Sequence, residues 1–350
     1  MDLMYLIFLS SGLFLGWSLG ANDVSNIFGA AVGSKMLKFR TVAVIASVFI
    51  IIGAVYGGEG TTQTLTKLGE VNALAGSFMV ALSAAITVYF MAKSGLTTST
   101  SQAIVGGIIG WNLYAGKTTD IAVLIKIVLS WIACPFLAGL IAIGLYLLLK
   151  RIIKKVRVHI LRQDQYLRIG LIVSGAFCTY ALGANNIANV MGVFVDSAPF
   201  DEVKLGFLHF NPTQILFFIG AIAISVGIWT YSQKVMATIG NNLMQMSPFV
   251  AFIVVLAQAV VLFLFSSSAL RDGLHALMLP ALPLVPVSST QAVIGAILGI
   301  GLLKGSKGIN WNITGRIIGG WFTTPLMTLV ICFTSLFFLE NVFNQVVCLP

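Results

Sequence analysis

The chain has 350 residues, 58% hydrophobic and only 9% charged, whereas a soluble domain carries about 25% charged residues. That composition excludes a water-soluble globular domain and predicts an all-α polytopic membrane protein, with apolar runs long enough to cross a ~30 Å hydrocarbon core. The net charge of +9 does not point to nucleic acid, because seven of the twenty Lys and Arg lie between Lys150 and Arg168, and a basic segment between apolar spans anchors a protein at the cytoplasmic bilayer surface.

Ten crossings are predicted, at 5–33, 41–58, 73–92, 98–116, 121–149, 169–195, 213–232, 249–266, 284–303 and 312–339. The first is read as a span rather than a signal peptide, since it lacks a basic leader and continues into a polar motif. That motif is "GANDVSNIFG", Gly20–Gly29. Asn22 and Asn26 are four apart and share a face if helix persists there. Asp23 is the one carboxylate inside a span, and intramembrane carboxylates are expensive and usually functional. Asn and Asp oxygens suit Na+, which places a coupling cation at Asp23. The flanking glycines permit a break, so the first and sixth crossings are expected to be broken or hairpin-like, with the freed backbone lining a polar cavity. A lone Asn would serve equally well as interhelical glue.

The fourth crossing opens with "TSTSQ", Thr98–Gln102. Hydroxyls just before an apolar run have the composition of a helix N-cap. Inside a membrane such a terminus also offers free N–H groups and a positive dipole end to an anion. Ser99, Thr100, Ser101 and Gln102 are therefore candidate anion-binding residues. "WIACP" follows in the fifth crossing, and the basic segment 150–168 separates a first unit, 1–149, from a second, 169–350.

The second unit repeats the first. "GANNIANVMG", Gly183–Gly192, matches the Asn-Asp motif and supplies Asn185, Asn186 and Asn189. "PVSSTQAVIGAILG" matches "TTSTSQAIVGGIIG" and supplies Ser288, Ser289, Thr290 and Gln291; "WFTTP" matches "WIACP". Three motifs in one order indicate duplication. Five crossings per unit is an odd number, so the second unit enters from the opposite side. The expected architecture is two inverted-topology repeats whose broken helices meet at the membrane midplane, as in many secondary transporters.

With the N-terminus outside, fifteen basic residues fall on the inner side and five on the outer, while nine of the eleven acids fall outside. The positive-inside rule then predicts a multi-pass protein of the cell inner membrane with both termini outside and segment 150–168 cytoplasmic. The four cysteines have no metal or redox spacing, and the three histidines fall in loops. No cofactor is expected, and an intramembrane enzyme lacks its nucleophile–base pair. A channel built on inverted repeats is the distant alternative. A homodimer is expected from general habit alone.

"GANDVSNIFG", "GANNIANVMG", "TSTSQAIVG" and "PVSSTQAVIG" resemble the duplicated signatures of the inorganic phosphate transporter (PiT) family, over essentially the whole chain. The resemblance, to a short prokaryotic member, implies cation-coupled symport of phosphate with Na+ or H+. It implies coupling-cation roles for the Asn-Asp motifs and anion binding by the Ser/Thr motifs. Two departures stand out. Asn186 occupies the place of a second aspartate, and Gln102 and Gln291 occupy places where the family usually has histidine. Monohydrogen phosphate benefits from an acceptor for its hydroxyl proton, whereas sulfate wants donors only. The losses therefore keep a sulfate permease of the same family as the alternative to phosphate.

Overall fold

The computed structural model describes residues 3–94, 98–156, 159–205, 208–239, 246–306 and 309–349. Asp2, Thr97, Arg157 and Lys307, which enter the charge and motif readings above, lie outside the described residues.

Thirteen α-helices are described. In the first unit they are α1 (Leu3–Gly33), α2 (Phe39–Gly57), α3 (Glu59–Leu68), α4 (Leu74–Lys93), α5 (Thr100–Tyr114) and α6 (Ile121–Val156). The second unit holds α7 (Ile160–Met191), α8 (Pro212–Gly227), α9 (Gln233–Ile239), α10 (Pro248–Leu264), α11 (Ser268–Ala276), α12 (Ser289–Leu303) and α13 (Trp311–Asn341). A 3-10 segment, Gly192–Ser197, extends α7, and a π-helical segment, Ile228–Ser232, joins α8 to α9. A small antiparallel ribbon, Val203–Leu205 with Leu208–Phe210, is the only sheet among the described residues. Seven helices are long and apolar enough to cross a membrane, or eight if α10 and α11, bent by 68°, count as one. The protein is thus all-α and polytopic.

Local chemistry sets several helix starts. Asn211 and Gln214 form a reciprocal capping box ahead of Pro212 at the start of α8, satisfying orphan N–H groups that lipid cannot. Ser247, ahead of Pro248 in α10, makes a one-way cap, its Oγ accepting from Val250 N at 3.4 Å. Asp120 Oδ1 accepts from the N–H groups of Ala122 and Val123 at the start of α6.

Three sequence expectations are corrected. First, α1 and α7 run unbroken through their motifs. The polar side chains bond back into the helix or across to neighbours instead of freeing backbone. Asn22 Nδ2 donates to the Ser18 carbonyl at 2.9 Å, and Ser25 Oγ to that of Ala21 at 2.7 Å. The glycines serve close packing: a Cβ at Gly20 would stand 1.9 Å from the Ile224 carbonyl oxygen, and one at Gly183 2.3 Å from that of Ile50.

Second, the crossings predicted at 98–116 and 284–303 are not full-length helices. Helices α5 and α12 have 15 residues each, about 22 Å at 1.5 Å per residue, short of a ~30 Å core. Non-helical chain precedes each: Thr98 and Ser99 before α5, and residues 279–288 before α12. The breaks therefore lie in these two places, not in the Asn motifs. Third, the basic segment 150–168 is largely helical, because α6 runs on to Val156 and α7 starts at Ile160.

The packing is reciprocal. Helix α1 lies against α4 and α8, and α7 against α10 and α2; α5 lies against α4 and α13, and α12 against α10 and α6. Glycines set the closest approaches. A Cβ at Gly106 of α5 would stand 2.2 Å from the Pro325 carbonyl oxygen of α13, and one at Gly295 of α12 2.1 Å from that of Pro135 of α6. These contacts hold the two short helices so that their N-terminal ends meet in the protein interior.

Candidate functional site

The first residues of α5 and α12 are buried together with the Asn motifs of α1 and α7. Ser99 caps α5, its Oγ accepting from Gln102 N at 3.3 Å; Ser288 caps α12, accepting from Gln291 N at 3.2 Å. The run of hydroxyls is thus a pair of helix caps, and one hydroxyl in each is committed to that duty.

The next bonds cross between the two helix termini. Ser101 Oγ donates to the Val287 carbonyl at 3.0 Å, and Thr290 Oγ1 donates to the Thr98 carbonyl at 3.0 Å. Asn189 Nδ2 donates to Ser101 Oγ at 2.8 Å, and Asn26 Nδ2 to Thr290 Oγ1 at 3.3 Å. Ser101 and Thr290 hold matching places in the two motifs, as do Asn26 and Asn189. Each hydroxyl therefore latches its helix terminus to the chain ahead of the other terminus, with a carboxamide behind it.

Between the termini, Asn186 Nδ2 donates to Asp23 Oδ2 at 3.4 Å. The hydroxyls of Thr100 and Ser289 lie beside the same carboxylate, and neither makes a formed hydrogen bond elsewhere. Asp23 is only 2% exposed and is the only fully buried charged side chain among the described residues. Among the described residues no Lys or Arg forms an ion pair with it. A buried carboxylate without a cationic partner is destabilising by several kcal/mol, on the order of what ion burial costs in a protein interior, unless a mobile cation supplies the charge.

Five buried acceptor oxygens of the four motifs lack a partner: Asp23 Oδ1, Asn186 Oδ1, Asn189 Oδ1, Gln102 Oε1 and Gln291 Oε1. Each unmade bond costs about 1–3 kcal/mol. Such a concentration of unsatisfied acceptors is stable when a cation or a proton donor completes it. Unpartnered hydroxyls, Thr98, Thr100 and Ser289, supply neutral donors next to the two positive helix ends.

Two of the candidate residues face other tasks. Asn22 is only half-buried and bonds its own helix. Asn185 is fully engaged with the non-helical leg before α12: Nδ2 donates to the Val285 carbonyl at 3.1 Å, and Oδ1 accepts from Val287 N at 2.9 Å. Asn185 thus holds the leg that delivers Ser288 into the site.

A sequence profile of the phosphate transporter family matches residues 19–332. The chain belongs to the phosphate transporter family. A candidate phosphate permease of Methanocaldococcus jannaschii is 30% identical over 322 residues, covering 91% of this chain and 93% of its own. One of Pyrococcus abyssi is 25% identical over 400 residues, covering 93% and 95%. A solved structure described as a sodium-dependent phosphate transporter superposes with a TM-score of 0.77 at 21% identity, over 97% of this chain and 100% of that one. The likeness shows a shared fold. As a member of the phosphate transporter family the chain is a multi-pass membrane transporter and not an enzyme.

Reading the sequence for this family's signatures misses the supports outside them. Thr64 Oγ1 of α3 donates to the Leu284 carbonyl and so fixes the leg before α12. Gln258 of α10 is fully buried within "VVLAQAVVLFL" and reaches the first turn of α12. A lone carboxamide in an otherwise apolar span is the signal that would have found it.

Proposed function

We propose that this family member imports inorganic phosphate by symport with a cation, Na+ in first place and H+ in second. The observation that carries the reading is the meeting of Asp23 and Asn186 between two buried helix N-termini, ringed by unpartnered oxygens. A proton needs a single acceptor. Three unpartnered oxygens, Asp23 Oδ1, Asn186 Oδ1 and Asn189 Oδ1, match a small hard cation better, because such ions take several oxygen ligands.

The same electrostatics supply coupling. With no cation bound, the Asp23 carboxylate opposes an incoming oxyanion in a site of low dielectric. A bound cation cancels that repulsion, so each ligand raises the affinity for the other. The N–H groups at the start of α5 and α12 are the donors available to the anion. The free carbonyl oxygens of Gln102 and Gln291 are acceptors for a hydroxyl proton, which monohydrogen phosphate has and sulfate lacks. This favours phosphate over sulfate.

The reading extends to architecture. The reciprocal packing of α1–α8 with α7–α2, and of α5–α13 with α12–α6, fits two inverted repeats of residues 1–149 and 169–350 that rock about the central site. The charge asymmetry fits both termini outside, with segment 150–168 cytoplasmic. Thiol labelling checks that topology. Lys117→Cys should react with an impermeant reagent from outside and Lys155→Cys only from inside; the reverse pattern overturns it.

The function itself is tested by uptake of labelled phosphate into proteoliposomes holding the purified chain, under an imposed Na+ or proton gradient. Saturable, gradient-driven phosphate accumulation that excess sulfate does not block is expected. Accumulation of sulfate with no accumulation of phosphate would refute the substrate reading.

A further inference from the structure

Gln258 stands outside every motif of the duplicated signature, yet it is completely buried in α10 and touches the site. Its Nε2 donates to the Ser289 backbone carbonyl at 3.3 Å, while its Oε1 has no partner. Ser289 is the first residue of α12, and its own hydroxyl lies unpartnered beside Asp23. Every other residue of α10 from Pro248 to Leu264 is apolar. A side chain whose task was to fill this space would be apolar too, since a buried carboxamide with one end unmade is a net cost. Helix α4, which packs beside α5 as α10 packs beside α12, carries no carboxamide. The carboxamide support therefore belongs to the α12 side of the site alone, although Thr100 of α5 brings a hydroxyl to the same carboxylate.

We propose that Gln258 is a positioning residue of the coupling-cation site, holding the first turn of α12 so that the Ser289 hydroxyl is presented to Asp23. The inference rests on the symport reading above. Gln258 acts through Ser289 and sets how well the cation is held, while the α12 terminus that faces the anion is also fixed by the Ser288 cap and the Thr290 latch. It contributes nothing where Ser289 has no hydroxyl to present.

The test is labelled-phosphate uptake into proteoliposomes with Na+ titrated, comparing wild type, Gln258→Leu, Ser289→Ala and the double variant. Gln258→Leu should raise the half-saturating Na+ concentration by about tenfold, while the phosphate KM at saturating Na+ moves less than about twofold. It should add nothing further in the Ser289→Ala background, because residues that act as one unit are non-additive. Gln258→Met, unbranched and of similar length, serves if the leucine variant fails to fold. An unchanged Na+ dependence in a folded variant, equal shifts in Na+ and phosphate, or full additivity with Ser289→Ala would each overturn the proposal. Wild-type uptake that ignores Na+ removes the Na+ symport reading itself, and this inference with it.

Discussion

Asn186 donates to the carboxylate of Asp23 at 3.4 Å, and the two residues hold the same place in the two copies of one motif. A duplication that kept both aspartates would set two buried carboxylates against each other, with like charges in low dielectric. Replacing one by a carboxamide turns repulsion into a hydrogen bond and leaves a single negative charge. The two motifs thus match in sequence and differ in charge.

The crossed latches separate two hydroxyls that are adjacent in sequence. Thr290 is fully bonded, to the Thr98 carbonyl and to Asn26, whereas Ser289 has no partner. Thr290→Ala should lower the unfolding midpoint in detergent, with a loss of about 1–3 kcal/mol from the partners left unmade. Ser289→Ala should leave that midpoint nearly unchanged and weaken transport. Equal thermal stability and equal uptake in both variants would remove the distinction.

Asn185 binds the leg ahead of α12 at two points, the Val285 carbonyl and the Val287 N–H. Asn185→Ala strands both groups inside the protein. The expected result is a destabilisation of about 2 kcal/mol or more, with a raised phosphate KM because Ser288 and the α12 terminus lose their seat. An Asn185→Ala protein with wild-type stability and KM would show that the leg is held by other contacts, such as Thr64 on Leu284.

Gly295 lies against the Pro135 carbonyl so closely that a Cβ would come within 2.1 Å of it. Gly295→Ala should push α12 off α6 and destabilise the fold by about 1–3 kcal/mol, as overpacking does. Gly319→Ala in α13, where a Cβ would meet nothing within 4 Å, should not destabilise and should add about 0.4–1 kcal/mol, as alanine does at a helical position it can adopt. Thermal unfolding of the two variants side by side decides it.

Much of this was legible because the physics is local and repeated. Apolar runs of bilayer length and the three duplicated motifs are one-dimensional signals; the first led to the helical class, and the second to residues such as Asn186, Thr100 and Ser289 that lie beside Asp23. What misled was the glycine in "GANDVSNIFG". A glycine that admits a neighbouring helix looks, in sequence, the same as one that breaks its own, and only the Ile224 carbonyl beside Gly20 separates the two. The extended leg before α12 was hidden for a related reason. "LPALPLVPV" is apolar enough to extend a predicted span, while its prolines keep it out of a helix. Asn185 looked like a ligand because nothing in the sequence announces which carboxamide will be used up by a backbone 100 residues away. Gln258 was passed over because it belongs to no repeated pattern.

The most direct measurement compares wild type and Asp23→Asn for two activities in the same proteoliposomes: phosphate accumulation driven by a Na+ or proton gradient, and phosphate exchange at equilibrium without one. Removing the charge removes the reason for the cation to bind, while the helix termini that hold the anion stay in place. The account predicts that Asp23→Asn loses gradient-driven accumulation by about tenfold or more, a change of about 1.4 kcal/mol, and retains measurable exchange. Undiminished accumulation under the gradient in a folded Asp23→Asn protein would contradict it.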